Sequence, residues 1–220
     1  MGSIPVTRQA ASRNDLSWQA VAICERLAAV VLFAASASVL AASMVAVWLL
    51  SGRSPLIAHR RVGFQGAPLW MLKLRTMWDT AADGAAKGAV WIEYIDDDAG
   101  PRLKKARDSR VSGGFARFCR RHSIDELPQL WHVIRGEMAL VGPRPMTERE
   151  LRRHYGADAD EVLRVKPGIA GLWQTSGRNR LTYAERRNLD LKLVRERCRA
   201  MYVGILLRTL PEVWRGENTW

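Results

Sequence analysis

Cysteine is scarce in this sequence, and the three that occur are widely separated. Cys24, Cys119 and Cys198 form no C-x-x-C pair. A disulfide-stapled domain needs a set of closely spaced cysteines, so this chain lacks such a framework. Scattered single cysteines instead favour a reducing compartment.

Charge is absent from a long stretch near the N-terminus. Residues 27–52 contain no Asp, Glu, Lys or Arg. As a helix this segment would measure about 39 Å, at ~1.5 Å per residue, which exceeds the ~30 Å hydrocarbon core of a bilayer. A soluble core helix that is this long and apolar all round is unusual in a chain of 220 residues. The segment also starts too late for a secretory signal, so we predict a membrane-embedded helix.

Arginine flanks the uncharged segment on both sides, with Arg8, Arg13 and Arg26 before it and Arg53, Arg60 and Arg61 after it. Lys and Arg favour the cytoplasmic side of a membrane. Two basic flanks are better satisfied if the segment enters and leaves through the same face. Serine hydroxyls in its middle, residues 34–43, can bond back to helix carbonyls and bend the axis. Both features favour a re-entrant helix.

Basic residues outnumber acidic ones by 34 to 22, which gives a net charge of +12. This excess favours acidic partners: nucleic acid, anionic lipid headgroups or nucleotide diphosphates. A solvated basic surface explains the charge equally well. Nine tryptophans are many for this length. The indole ring favours membrane–water interfaces because its body is apolar and its N–H is polar.

The remainder of the chain shows short strand and helix patterns. Residues 56–59 and 69–72 are predicted as a β-hairpin with its turn at 63–66. Residues 80–101 are predicted as a loop, whose run of aspartates at 96–98 is better explained by solvation than by a metal. Residues 204–214 fit either a helix lying on a membrane or one packed on the core. The predicted helices cover residues 113–121, 123–134, 147–155 and 183–207.

Two adjacent carboxylates, Asp125 and Glu126, follow Ser123 at a predicted helix start. One interpretation is a capping box, in which Ser123 is the N-cap and Glu126 reaches back to its amide. Asp125 would then only favour the positive end of the helix dipole. The residues alone favour this structural interpretation.

The surroundings of the carboxylates support a chemical interpretation instead. A helix N-terminus attracts phosphate, and Arg120 and Arg144 could each clamp phosphate oxygens through two N–H groups. One carboxylate can attack phosphorus while its neighbour holds Mg²⁺. Lys73 and Arg75 follow the predicted hairpin. Strand alternation would send both side chains to one face, where they could meet a diphosphate.

Four motifs occur in a fixed order: KLRTM at 73–77, DELPQL at 125–130, VGPRP at 141–145 and PGIAGLWQ at 167–174. Together they resemble the bacterial sugar transferase family, the small monotopic phosphoglycosyl transferases, over residues 26–214. HRRVG at 59–63 and SGR at 176–178 resemble members that initiate exopolysaccharide synthesis. The family moves a sugar-1-phosphate from a UDP-sugar to a polyprenyl phosphate, usually undecaprenyl phosphate, and releases UMP.

The resemblance implies roles for individual residues. Asp125 would be the nucleophile that carries a covalent phospho-sugar, and Glu126 would bind the Mg²⁺ cofactor. The implied phosphate- and substrate-binding residues are Lys73, Arg75, Arg120, Arg144, Gln174 and Arg178.

The chain also departs from the family pattern. The family's membrane helix is commonly broken by a Ser-Pro pair, but Ser38-Val39 stands in that place here, and no proline occurs between Pro5 and Pro55. His132 replaces a usual asparagine and is interpreted as structural rather than as a base. Glu137 and Ala139 replace a usual Asp and Ser. Residues 190–204 lack the usual aromatic pattern, which bears on acceptor handling and sugar choice.

We therefore predict an α+β fold that is mainly helical, with a membrane-embedded re-entrant helix, a short β-hairpin and interfacial helices. The predicted divisions are a flexible tail at 1–22, the membrane segment at 23–52 and a cytoplasmic catalytic domain at 53–220. The expected partners are a UDP-sugar, undecaprenyl phosphate and membrane lipid, without nucleic acid, at the inner membrane of a bacterium. The transferred sugar stays open between glucose, galactose and an N-acetylated sugar. The choice between a re-entrant and a spanning helix also stays open, and so does the oligomeric state, with a homodimer as one alternative.

Two rival interpretations remain at this point. A non-enzymatic, membrane-tethered basic protein that binds anionic lipid or nucleic acid would share the charge and the apolar segment. A family member with decayed activity would share the motifs as well.

Overall fold

A computed structural model of the chain describes residues 13–78, 91–96, 113–177 and 181–215. These residues are mostly helical, with two small sheets. Their helices are α1 (Arg13–Ser51), α2 (Gly113–Arg121), α3 (Leu130–Ile134), α4 (Glu148–Glu150), α5 (Ala159–Val162), α6 (Tyr183–Arg195) and α7 (Arg199–Arg215). Their strands are β1 (Leu56–Val62), β2 (Pro68–Leu74), β3 (Ile92–Ile95), β4 (Ala139–Val141) and β5 (Gly168–Ala170). Single 3₁₀ or π turns occupy Phe64–Gly66, Ile124–Gln129, Leu151–Tyr155 and Gly156–Asp158.

The uncharged segment lies within the longest helix, α1, which runs unbroken for 39 residues. It begins at Arg13 and therefore includes the end of the stretch that was predicted as a tail. Residues 18–51 are long and apolar enough to cross a membrane. Ser36 donates its hydroxyl hydrogen to the carbonyl of Leu32 at 2.7 Å, as expected for a serine inside an apolar helix. The re-entrant path through a bilayer stays a prediction.

One stripe of α1 packs on the rest of the protein from Trp18 to Val47. The covered side chains recur three or four residues apart, which is the spacing of one helical face. Trp18 contacts the cluster around α7, Ala29 the cluster around α3, and Val47 the cluster around α2. The opposite side of α1 exposes large apolar residues, including Ile23, Leu27, Val31, Val45, Leu49 and Leu50.

The predicted β-hairpin is confirmed, with longer strands than the sequence indicated. β1 and β2 pair antiparallel from Leu56 opposite Leu74 to Val62 opposite Pro68. β3 adds to β1 in parallel, so the sheet order is β2-β1-β3. The prediction of a loop over 80–101 was wrong for Ile92–Ile95, because this short apolar stretch gains its hydrogen bonds from β1 rather than from a local partner.

A second sheet brings two of the sequence motifs together. β4 and β5 pair in parallel, with Val141 opposite Ala170. A side chain on Gly142 would collide with the backbone at Lys166, and one on Gly168 would collide with the backbone of Gly142. The glycines of the two motifs therefore permit the close passage of these two chain segments.

Four predicted helices can be compared with the structure. The one predicted for 123–134 is 3₁₀ over Ile124–Gln129 and becomes α-helical only in α3. Helix α2 has the predicted bounds. The stretch 147–155 is helical but widens into a π turn after α4, with Thr147 and Glu150 forming a capping box. The single helix predicted for 183–207 was wrong, because the chain breaks into α6 and α7. At 100° per residue an unbroken helix would place Leu193 and Tyr202 on opposite faces, whereas both belong to one core cluster.

Candidate active site

The carboxylate pair lies on the 3₁₀ turn Ile124–Gln129, which leads directly into α3. Ser123 precedes it in the left-handed conformation, with φ 55° and ψ 22°, and its side chain makes no capping bond. The capping-box interpretation of Ser123 and Glu126 was therefore wrong. A capping box needs Ser123 in an extended conformation, and without the box the Glu126 side chain can pair with another residue.

That partner is Lys73 at the end of strand β2. Lys73 Nζ lies 3.0 Å from Glu126 Oε1, and the two side chains are 20% and 33% exposed. Strand alternation explains the placement, since Leu69 and Met71 point into the core cluster against α3 and Lys73 follows them on the same face. The hairpin thus delivers one cation to the carboxylate pair.

Asp125 is half-buried and lies near Cys119 on α2. The pKa of the Cys119 thiol is raised to about 11, mainly by burial and to a smaller extent by the negative charge of Asp125. A hydrogen bond with Ser43 opposes the increase. Ser43 belongs to the C-terminal half of α1. The predicted nucleophile is therefore close to the part of the apolar helix that packs on α2.

Arg144 lies in the second sheet region, held between two buried prolines. Its guanidinium carbon is 5.8 Å from the centre of the Trp173 indole, and that of Arg186 is 4.7 Å from the same ring. Guanidinium groups favour the face of an indole through cation–π attraction. The positive charge of Arg144 contributes to lowering the pKa of Arg186, after burial as the main cause.

Asp190 lies beside these two arginines and is 1% exposed. Its Oδ2 accepts a hydrogen bond from the Tyr155 hydroxyl at 2.7 Å. Burial raises the pKa of Asp190 to about 7, against the lowering effects of the Tyr155 bond and the charges of Arg144 and Arg186. Sequence reasoning did not identify Asp190 or Arg186, because their partners are distant in the chain.

The other predicted binding residues have different surroundings. Arg75 is buried, donates to the Ser54 carbonyl at 2.8 Å and pairs with Glu93 on β3. Arg120 lies in the last turn of α2, and its Nε is buried with no hydrogen-bond partner among the described residues. Gln174 donates to the Ile169 carbonyl at 3.3 Å. Arg178 lies outside the described residues. The substrate-binding roles of all four stay predictions.

The predicted Mg²⁺ requires oxygen ligands. Within the described part of the chain, no group of three or more His, Cys, Asp or Glu side chains is close enough to hold a metal ion. Mg²⁺ usually takes one or two carboxylates and completes its shell with water and substrate phosphates rather than with a protein cage. The pair Asp125 and Glu126 fits that donor pattern.

A carboxylate in the N-terminal half of α1 connects the apolar helix to the second sheet. Glu25 is buried and accepts a hydrogen bond from the Leu140 amide of β4 at 2.6 Å, and a second from the Tyr202 hydroxyl of α7. Leu140 stands shortly before Arg144 in the chain. A single acidic residue just before an uncharged segment is a signal that could have identified this contact.

Comparisons with known proteins identify the family of the chain and several relatives. The sequence profile described as bacterial sugar transferase matches residues 17–216. The chain is 38% identical over 184 residues to the exopolysaccharide production protein ExoY of Rhizobium meliloti, covering 80% of this chain and 77% of that protein. It is 36% identical over 189 residues to a UDP-galactose-lipid carrier transferase of Erwinia amylovora, covering 82% of this chain and 38% of that protein.

The name of a third relative contains both a donor and an acceptor. The UDP-glucose:undecaprenyl-phosphate glucose-1-phosphate transferase of Caulobacter vibrioides is 32% identical over 208 residues, which cover 90% of this chain and 71% of that protein. The chain thus spans less than half of the Erwinia protein but most of the other two. The chain belongs to the bacterial sugar transferase family.

Proposed function

We propose that this protein transfers a hexose-1-phosphate from a UDP-sugar to undecaprenyl phosphate, as the first membrane step of exopolysaccharide or glycoconjugate synthesis. The observation that carries the proposal is the meeting of Lys73 with Glu126 beside Asp125. A cation, a carboxylate ligand and a second carboxylate in one place are the groups that phosphoryl transfer needs. The names of the relatives support the donor and acceptor classes.

Asp125 is assigned as the nucleophile. Its carboxylate oxygen attacks the β-phosphorus of the UDP-sugar, the bond from that phosphorus to the bridging oxygen breaks, and UMP leaves with the bond electrons. A phosphate oxygen of the lipid then attacks the same phosphorus, and the Asp125 carboxylate departs from the polyprenyl-diphosphate-sugar. Covalent catalysis of this kind divides one difficult displacement into two.

Glu126 is assigned as the Mg²⁺ ligand and Lys73 as its partner. Mg²⁺ would supply charge neutralisation on the diphosphate. Lys73 orients the Glu126 carboxylate and adds positive charge where the donor phosphates must lie. Arg144 on Trp173 offers a planar guanidinium for phosphate oxygens, and its neighbours Pro143 and Pro145 restrict the backbone that carries it.

The apolar side of α1 is assigned to the membrane, with the catalytic residues on the cytoplasmic side. Both halves of the helix pack on the same body, Ala29 against α3 and Val47 against α2. A helix that left this body to cross the bilayer would expose those contacts. The packing therefore supports a helix that stays at one face of the bilayer, where the headgroup of a polyprenyl phosphate also lies.

The test is UMP release by the purified full chain in nanodiscs, with undecaprenyl phosphate, Mg²⁺ and a panel of UDP-hexoses and UDP-N-acetylhexosamines. We expect acceptor-dependent turnover with at least one donor, and no turnover by Asp125→Asn. Asp160→Asn is the matched control, because Asp160 is exposed on α5. Intact-protein mass spectrometry without acceptor should reveal one sugar-phosphate adduct on the wild type and on the control.

Turnover by Asp125→Asn at the wild-type rate would contradict the assigned nucleophile. Absence of UMP with every donor, together with salt-sensitive binding to anionic vesicles that ignores Asp125, would favour the non-enzymatic tether instead.

A further inference from the structure

His132 connects helix α3 to the edge of the hairpin sheet. The imidazole is buried, with 5% exposure, and its Nε2 accepts a hydrogen bond from the Leu72 amide at 3.1 Å. β2 is the outer strand of the described sheet, next to β1 alone. An amide on the outer side of an edge strand has no strand partner, so His132 supplies the acceptor that the sheet does not.

The hydrogen-bond geometry determines which nitrogen of His132 carries the proton. A backbone amide only donates, so Nε2 must accept and the proton must be on Nδ1. Nδ1 lies 2.6 Å from Glu137 Oε2, which accepts that proton's hydrogen bond. The second oxygen of Glu137 accepts from Arg135 Nε at 2.8 Å. The ring is therefore held at both nitrogens, as in metal sites where a carboxylate orients a histidine.

Strand β2, which His132 binds at Leu72, carries a residue of the candidate site. Leu72 immediately precedes Lys73, whose Nζ lies 3.0 Å from Glu126 Oε1. On the other side of the contact, α3 directly continues the 3₁₀ turn that bears the carboxylate pair. His132 thus ties the backbone beside Lys73 to the same chain segment that presents Glu126.

We propose that His132, oriented by Glu137, is a positioning residue that sets Lys73 against Glu126 for phosphoryl transfer. The proposal rests on the proposed function. It assigns His132 no proton transfer, since both ring nitrogens are occupied and the ring is buried. Lys73 stands at the end of its strand, so a backbone shift at Leu72 moves its amine directly.

The first test compares two substitutions at this position. Leucine removes both hydrogen bonds, whereas glutamine keeps an acceptor with the reach of Nε2. We expect His132→Leu to lower the rate of the UMP burst, expressed per active site, by 10- to 100-fold. This is the range for residues that orient a metal ligand through a hydrogen bond. His132→Gln should recover most of that rate.

The matched control for lost packing is Val133→Ala. Val133 is the next residue of α3, is 1% exposed and belongs to the core cluster. This change should lower the fraction of folded enzyme, and hence the burst amplitude, while the rate per active site stays near that of the wild type. A merely structural role for His132 would give the same pattern for His132→Leu.

A double-mutant cycle tests whether His132 acts through Lys73. If it does, His132→Leu should slow Lys73→Met far less than it slows the wild type, because the group to be positioned is already gone. Equal slowing in both backgrounds would overturn the proposal.

Two measurements decide the proposal without turnover. Hydrogen exchange at the Leu72 amide should be slow in the wild type and His132→Gln and at least ten times faster in His132→Leu. Acylation of the Lys73 amine, followed by mass spectrometry, should also become faster in His132→Leu. Unchanged exchange at Leu72 or unchanged acylation of Lys73 would overturn the positioning role. If the wild type turns over no donor, the proposed function fails and these two measurements still decide the role of His132 at Lys73.

Discussion

Lys73 and Glu126 are 53 positions apart in the chain, yet Nζ and Oε1 of the two residues lie 3.0 Å apart. The contact joins the KLRTM and DELPQL motifs into one site. A partly exposed ion pair contributes little to stability because water screens it. Its position beside Asp125 therefore has more significance for chemistry than for folding.

Removal of the Glu126 charge should affect metal use more than folding. For Glu126→Gln we expect a higher Mg²⁺ concentration for half-maximal activity and a rate 10- to 100-fold lower, since an amide is a weaker ligand than a carboxylate. The measurement is UMP release across a Mg²⁺ titration, with EDTA as the metal-free limit. Glu148→Gln, at an exposed carboxylate on α4, is the control. An unchanged Mg²⁺ dependence would contradict the assignment of Glu126 as the ligand.

The buried Asp190 should make stability depend on pH. Its pKa of about 7 in the folded protein exceeds its ordinary value of 3.8, so the folded state binds the proton more tightly than the unfolded state does. The stability that this proton provides is complete below pH 3.8 and is lost as the pH rises through 7.

Asp190→Asn should flatten that part of the pH profile. An asparagine oxygen still accepts from Tyr155 but no buried charge forms, so we expect a melting temperature at pH 8 at or above that of the wild type. The free energy involved is on the order of 1–4 kcal/mol. Melting curves from pH 4 to 8 provide the measurement, with Asp160→Asn as the exposed control. If the melting temperature of the wild type does not fall relative to that of Asp190→Asn as the pH rises, the burial argument is refuted.

The bond network of Glu25 should stabilise the attachment of α1. Glu25→Leu leaves the Leu140 amide and the Tyr202 hydroxyl without their acceptor, at a cost of roughly 1–3 kcal/mol for each buried donor. We expect a lower melting temperature in detergent and faster proteolysis between α1 and β1. Glu25→Gln keeps an acceptor oxygen and should lose much less. Equal melting temperatures for Glu25→Leu and the wild type would show that the contact contributes nothing.

The hairpin and helix α2 were predictable because their signals are local. Alternating apolar residues around a glycine-containing turn identify β1 and β2, and the spacing of apolar residues identifies α2. Strands β3, β4 and β5 were missed because each is three or four residues long and has no local pattern. They form only because a partner strand from another part of the chain satisfies their backbone groups.

The sequence identified Lys73 and Glu126 but not their contact, and it identified neither Asp190 nor Arg186. Alternation placed Lys73 and Arg75 on one face, yet the chain leaves β2 after Leu74, and Arg75 turns to Glu93 while Lys73 meets Glu126. Serine is a residue type that often caps helices, but the left-handed backbone of Ser123 excludes that role. Both outcomes depend on the path of the backbone, which residue types alone do not specify.

The sequence by itself determined the apolar helix, the carboxylate pair and the order of the motifs, because charge, hydropathy and residue spacing are properties of the chain before it folds. Only the tertiary structure decided that Glu126 pairs with Lys73, that Arg144 shares an indole with Arg186 and that Glu25 holds β4. These contacts join residues that are far apart in sequence, and each side chain had several possible partners. Packing of α1, the hairpin and α3 into one core selected among them.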